Sequence, residues 1–339
     1  MADTHRLNEN EIRPDHLRAE QQRRFANDIA RMMARKAEFV EVDCPACGTH
    51  ERRRAFGKYD LDYVTCTACA TIYISPRPTP AVLEDYYTNS ENYAYWNAVI
   101  FPASEPARRE KIFKPRVERT LELCERYGVK RDLCVEVGAG FGIYCEEMQK
   151  TGGFKRVVGI EPTPGLAQTC RERGIEILEL PVEKVDFSTM RADVVASFEV
   201  IEHLFEPQSF IERCADLVRP GGILVITCPN GRGFDVEVMG PGSDAVDVEH
   251  LNYFNPKSLG ALVEKSGFEV LEVSTPGKLD AELVRKKVLL GEFSLDGQPF
   301  LAQVLIERWD EVGAAFQSFL ATNGLSSHMW LVARRRGAA

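Results

Sequence analysis

Apolar runs and amphipathic segments alternate from residue 130 onward. Short runs rich in Val and Ile fall at 133–137, 156–160, 175–179, 193–198 and 223–228, and each reads as a strand. Between them, residues 141–151, 164–173 and 207–219 space their apolar positions along one helical face. This alternation predicts an α/β fold, a parallel sheet with helices on both faces. Pro220-Gly221-Gly222 stops the helix before the fifth strand. Asn255-Pro256 caps a helix running through Lys265, and Gly267 leads to a strand at 268–274. Residues 281–322 read as two helices, the second carrying Leu301, Leu305, Trp309, Val312, Phe316 and Phe319. A strand from His328 to Ala333 follows. Upstream, 14–38 suits an amphipathic helix with Phe25, Ile29, Met32 and Met33 on its apolar face, and Ser75 to Pro80 reads as a stiff linker. The aromatic cluster Tyr86, Tyr87, Tyr93, Tyr95, Trp96 and Phe101 lines a substrate cleft or packs its segment onto the core; the pattern leaves both open.

The join of the first strand to its helix carries the most chemistry. Cys134-Val-Glu-Val-Gly-Ala-Gly-Phe-Gly142 places glycines at 138, 140 and 142 behind an apolar strand. Glycine allows a sharp bend and close approach of a ligand to the backbone, and the following helix turns its free N–H groups toward that ligand. A dinucleotide fingerprint would need its third glycine at position 143, which is Ile143. The E-x-G-x-G-x-G form opened by Glu136 instead resembles motif I of class I S-adenosylmethionine (SAM) methyltransferases. That resemblance implies a seven-stranded Rossmann-like sheet whose last strand is antiparallel. It also implies that Glu136, Gly138, Ala139, Gly140 and Gly142 hold SAM, with an acidic residue ending the second strand. Glu161, followed by Pro162, supplies it; a carboxylate accepting ribose hydroxyls makes bonds of roughly 1.5–3 kcal/mol each.

Ten cysteines fall into two groups. Cys124, Cys134, Cys145, Cys170, Cys214 and Cys228 lie in apolar periodic segments and read as small core hydrophobes. Cys44-x2-Cys47 and Cys66-x2-Cys69, separated by 18 residues, have the spacing of a zinc ribbon. Four thiolates leave no open coordination position, so Zn2+ there is expected to be structural, contributing on the order of 10 kcal/mol to folding.

A net charge of −9 and 44% hydrophobic residues fit a globular protein and argue against a broad nucleic-acid footprint. Arg52-Arg53-Arg54 is a local exception that reads as solvated surface. No apolar run approaches the ~20 residues of a membrane span, and the N-terminal Met-Ala-Asp-Thr-His-Arg lacks a signal-peptide core. The expectation is a cytoplasmic enzyme.

Past the fourth strand, Ser197, Phe198 and Glu199 should border the cofactor, because ligands of open α/β sheets bind beyond the carboxyl ends of strands. Glu199-Val-Ile-Glu-His203 resembles motif IV of small-molecule methyltransferases acting on quinones, lipids and sugars. Glu249-His250-Leu-Asn-Tyr-Phe254 resembles the catalytic segment of sugar-nucleotide C-methyltransferases, which also carry an N-terminal zinc module. The resemblance implies His250 as general base, assisted by Glu249 and by a tyrosine placed at Tyr95; the tyrosine that this group carries two residues before the glutamate is Asp247 here. Histidine, with a pKa near 6.5, suits proton removal at neutral pH, and His203 is the other candidate. Glu199, Glu202, His203 and His250 also resemble the metal site of small-RNA 2′-O-methyltransferases, which leaves a second, catalytic metal as an alternative.

The expected organisation is a helical segment at 1–38, a zinc ribbon at 39–78, a helical and aromatic lid at 79–127, and a SAM-dependent methyltransferase domain at 128–339 with a helical insertion at 280–323. The expected acceptor is a small, carbohydrate-type molecule. The rivals are an RNA or protein methyltransferase that docks through the ribbon, and a SAM-binding scaffold without catalysis.

Overall fold

The computed structural model describes residues 9–337. The N-terminal stretch read for a leader, 1–6, lies outside them. Among the described residues the strands are, in chain order, β1 (Arg52–Lys58), β2 (Leu61–Cys66), β3 (Ile72–Ile74), β4 (Leu133–Val137), β5 (Arg156–Ile160), β6 (Glu176–Leu178), β7 (Ala192–Phe198), β8 (Val218–Pro229), β9 (Asn252–Tyr253), β10 (Phe268–Ser274) and β11 (His328–Arg335). The chain packs as two compact units whose segments interleave in sequence. One takes residues up to Ala107 with Pro229–Ser258 and Ser274–Met329; the other takes Arg108–Cys228, Leu259–Val273 and the chain from Trp330.

The second unit is built on a seven-stranded sheet in the order β10-β11-β8-β7-β4-β5-β6, mixed, with one antiparallel strand. The central strands β4 and β7 are buried at every position. That is why they read as mostly apolar runs rather than alternating ones: helices cover both faces of a parallel sheet. β4 pairs in parallel with β5 and with β7, setting Glu136 opposite Gly159 and Ala196. The core joins Val117 and Leu123 of the helix Lys114–Tyr127 to Tyr144 and Met148 of the helix Ile143–Thr151, with Val194, Val225 and Trp330. The six cysteines expected in the core are all buried. Two expectations shift in detail. β8 begins at Val218, so Pro220-Gly221-Gly222 lies inside it, where pairing with β7 slips between Ala192 and Val194. The first helix begins at Ile143, because Gly142 is left-handed (φ 73°) and cannot continue a right-handed turn.

The first unit contains an antiparallel sheet, β1-β2-β3-β9, and a helical layer. The segment read as a stiff linker is packed: Arg77 is 1% exposed, and its backbone bridges to Val40 in both directions at 2.9 Å. The helical insertion holds its own core of Ala281, Val284, Leu305 and Leu320. Its expected second helix is broken at Arg308 (φ −121°), which separates Leu301 and Leu305 from the helix Trp309–Thr322. No helix among the described residues is long and apolar enough to cross a membrane.

Candidate functional site

In the second unit the glycine turn is defined by backbone hydrogen bonds. The N–H groups of Gly138 and Ala139 both donate to the Ile160 carbonyl, at 2.9 and 3.1 Å, which locks the end of β4 onto the end of β5. The Gly140 N–H donates to Glu161 Oε2 at 2.9 Å, and Glu161 Oε1 accepts from the Thr163 N–H at 2.9 Å. Burial holds the Glu161 carboxyl above its ordinary value. The Thr163 hydroxyl bonds the same carboxylate; of the about four lone-pair sites a carboxylate offers, one remains for a hydroxyl donor. Pro162, beside it, is exposed. A Cβ on Gly140 would meet nothing within 4 Å, whereas one on Gly142 would strike Ile175 Cδ1 at 2.4 Å and Cys170 Sγ at 2.9 Å. One glycine therefore keeps a face of the turn open and the other permits close packing beneath it.

Glu136 is 3% exposed and accepts a hydrogen bond from Cys145 Sγ at 3.1 Å. Burial pushes its carboxyl up to about 8. At the end of β7, Ser197 Oγ is buried with no hydrogen-bond partner among the described residues. Phe198 packs edge-on to Tyr144 at 4.8 Å, within the core. Glu199 adopts a left-handed backbone (φ 57°), a conformation that costs a side-chain-bearing residue about 1–2 kcal/mol. Its carboxylate accepts from Arg116 Nη2 at 3.1 Å and Thr227 Oγ1 at 2.5 Å. The Arg116 guanidinium lies 4.6 Å over the Phe198 ring, and burial lowers its pKa despite Glu199. Arg116 was not among the candidates from sequence, since nothing local marks one arginine of a charged helix. His203 closes a single turn, Ile201–His203, at half burial.

The sequence-predicted residues of the first unit form two groups. Cys44, Cys47, Cys66 and Cys69 bring four sulfurs within 4.8 Å of one another. Two matching knuckles aim them: the Cys44 N–H donates to Thr49 and the Cys66 N–H to Thr71, at 3.0 and 2.9 Å. Gly48 and Ala70 turn left-handed at the same place in each knuckle, at φ 75° and 58°. Sulfur pairs Cys44–Cys69 and Cys47–Cys66 stand at 3.5 Å. Four thiols so placed fit a tetrahedral cation with Zn–S bonds near 2.3 Å, so the donor set suits zinc.

The other group surrounds Glu249 and His250. Asp247 Oδ1 accepts from the backbone N–H of both, at 2.9 and 2.8 Å, and so shapes the turn that presents them. His250 Nδ1 lies 2.9 Å from the Ala245 carbonyl and 3.3 Å from Asp247 Oδ2. A carbonyl can only accept, so Nδ1 carries the proton and the neutral ring keeps its lone pair at Nε2. Tyr86 donates to Glu249 Oε1 at 2.5 Å, and Tyr93 faces the same carboxylate. Burial, with Asp247 adding to it, pushes Glu249 up to about 7. Tyr95 instead stacks under the Arg24 guanidinium at 4.7 Å. The tyrosines beside Glu249 are thus Tyr86 and Tyr93, members of the aromatic cluster that sequence could not rank.

Comparison with known proteins gives a consistent picture. Residues 107–273 match the family model described as "Methyltransferase domain". The chain is 29% identical over 139 residues to an S-adenosylmethionine-dependent methyltransferase of Mycolicibacterium smegmatis, covering 40% of this chain and 51% of that protein. It is 26% identical over 225 residues to the C-methyltransferase NovU of Streptomyces niveus, covering 64% of this chain and 48% of that one. These matches span about half the length of those relatives. In fold, the chain is similar to one from the complex between the Haloferax volcanii Trm112 methyltransferase activator and a methyltransferase, with TM-score 0.50, 15% identity, and 72% of this chain and 98% of that chain covered.

Proposed function

We propose that residues 107–273, which match the methyltransferase-domain model, form a class I SAM-dependent domain, and that the protein methylates a small polar acceptor, a sugar, sugar nucleotide or glycan-type molecule, with a histidine as general base. Bound SAM would supply an electrophilic methyl on a sulfonium, whose loss of charge drives the displacement forward. The residues fit that cofactor: Gly140 keeps one face open, Glu161 retains a lone-pair site for a ribose hydroxyl, and the buried Ser197 Oγ lacks a partner among the described residues. Glu136, Gly138, Ala139, Gly142, Pro162, Phe198 and Glu199 complete the proposed cofactor set. Cys44, Cys47, Cys66 and Cys69 would hold zinc in a closed, structural site.

The single observation that carries the choice of base is the Nδ1–H to Ala245 bond, which fixes the His250 tautomer and offers Nε2 to a hydroxyl or amine proton. Asp247 beside Nδ1 would stabilise the imidazolium that proton removal creates. Glu249, held by Tyr86 and Tyr93, would position the neighbouring histidine through the shared turn. His203 remains the second candidate base, and Tyr95 a supporting residue. The similarity to a C-methyltransferase supports a nucleophile that must lose a proton.

The test is methyl incorporation from labelled SAM into a panel of sugars and sugar nucleotides by the zinc-loaded chain. His250→Ala should keep S-adenosylhomocysteine affinity while losing about 10²–10⁴ in kcat. Full turnover in that variant would remove His250 from the role; incorporation only into non-carbohydrate acceptors would remove the substrate class.

A further inference from the structure

The loop leading into His250 is gripped by three cations of the first unit, Arg18, Lys58 and Lys287, none of which lies within the matched residues 107–273. Ser243 to Val246 forms a turn, closed by the Val246 N–H donating to the Ser243 carbonyl at 3.2 Å. The Ser243 hydroxyl accepts from the Ala245 N–H at 3.1 Å. Ala245 thus occupies the third place of the turn, and its carbonyl is the one that meets His250 Nδ1. The carbonyls at the two ends of the turn, Ser243 and Val246, both accept from Lys58 Nζ, at 2.9 and 2.6 Å. The next carbonyl, that of Asp247, accepts from Tyr63 Oη at 2.7 Å. Asp244 carries ion pairs to Arg18 and Lys287, each at 2.8 Å.

Lys58 is aimed by its own hairpin. It pairs with Leu61 at the end of β1, and Tyr59 and Asp60 between them both turn left-handed, at φ 56° and 60°. Two such residues mark the tight hairpin turn whose twist matches its strands, so backbone pairing fixes where the side chain starts. The ammonium lies 5.0 Å from the Tyr59 ring. Of its three N–H donors, two go to the turn. Placing a charge in a half-buried position is costly unless it is hydrogen-bonded and paired. Burial lowers the Lys58 pKa, with Asp244 and Asp247 acting against that and Lys287 with it. Charge-assisted bonds are roughly twice as strong as neutral ones, so an ammonium spanning both ends of a turn holds the residue between them in a fixed place.

We propose that Lys58 is a positioning residue for His250: by clasping both ends of the Ser243–Val246 turn it sets the Ala245 carbonyl against Nδ1, and with it the ring nitrogen left to take a proton. This rests on the reading of His250 as the base; the hold on the ring itself is measurable without any acceptor.

Nitrogen-15 NMR of the zinc-loaded full chain, labelled at histidine and assigned with His250→Gln, reads the tautomer at about pH 8.5, where an ordinary imidazole is neutral. The parent should show Nδ1 protonated and Nε2 bare. Lys58→Met keeps an apolar stem but has no N–H donor there, and should cut the ratio of Nδ1–H to Nε2–H forms by about threefold to tenfold. Should Lys58→Met not fold, Lys58→Gln, whose amide stops one bond short, makes the same comparison. Val194→Ala, at a fully buried position of β7, is the control: it should lower the unfolding midpoint and leave the ratio as in the parent. The Lys58 variant should bind S-adenosylhomocysteine as the parent does, so that failure here and failure of the cofactor reading are separate results. A shifted ratio with undiminished methyl transfer would uphold the hold of Lys58 on the ring and fault the base reading instead. A parent ring protonated at Nε2, an unchanged ratio in the Lys58 variant, or an equal shift in Val194→Ala would overturn the proposal.

Discussion

Gly140 and Gly142 offer a paired test of what each glycine in the turn is for. Both adopt positive φ, 54° and 73°, so alanine at either position incurs about 1–2 kcal/mol of backbone strain. Beyond that the two diverge. A Cβ at 142 would lie 2.4 Å from Ile175 Cδ1 and 2.9 Å from Cys170 Sγ, both on buried residues that cannot move aside freely. Overpacking of that kind adds about 1–3 kcal/mol, for a total of about 2–5 kcal/mol. A Cβ at 140 meets nothing within 4 Å, so its stability cost stays near the strain alone. In the proposed function that open face is where the cofactor contacts the backbone, and a methyl group there should weaken binding by about 10–100-fold on the same overpacking scale. Thermal unfolding and titration with S-adenosylhomocysteine measure the two quantities separately. Gly142→Ala should lower the unfolding midpoint markedly; Gly140→Ala should lower it little and lose affinity. If Gly140→Ala binds the ligand like the parent, or destabilises as much as Gly142→Ala, the division of roles is wrong.

Two further outcomes follow from the first unit. Stripping metal with a chelator, or replacing Cys66 by Ser, should lower the unfolding midpoint steeply, since four-thiolate binding contributes on the order of 10 kcal/mol; metal analysis should give one zinc per chain, and an unchanged midpoint after complete stripping would refute a structural role. Glu249, raised by burial from 4.5 to about 7, favours its protonated form in the folded state, so its contribution is full below about pH 4.5 and lost as pH rises through 7. The loss is about 3 kcal/mol at most, and Glu249→Gln should flatten the stability profile across that window, leaving the slope due to Glu136, whose carboxyl rises to about 8. An unaltered profile in Glu249→Gln would count against the burial argument.

The parts of this protein legible in its sequence are those set by local physics. Burial on both faces made β4 and β7 mostly apolar, without the alternation of a half-exposed strand. The glycine spacing marked a turn that only small residues tolerate, and Asn255 announced its helix by a cap that accepts from the Lys257 and Ser258 N–H groups. Cysteine pairs declared their knuckles because ligand spacing is a short-range property. Tertiary structure alone decided which distant groups meet. Arg116 reaches Glu199 across 83 positions, and Tyr86 rather than Tyr95 reaches Glu249 across 163. Asp247, a departure from the resembled motif, became the acceptor that shapes the His250 turn. Periodicity fixes which face a side chain occupies within its own element. Long-range pairing, register and burial determine what lies opposite, and those depend on the whole chain closing at once.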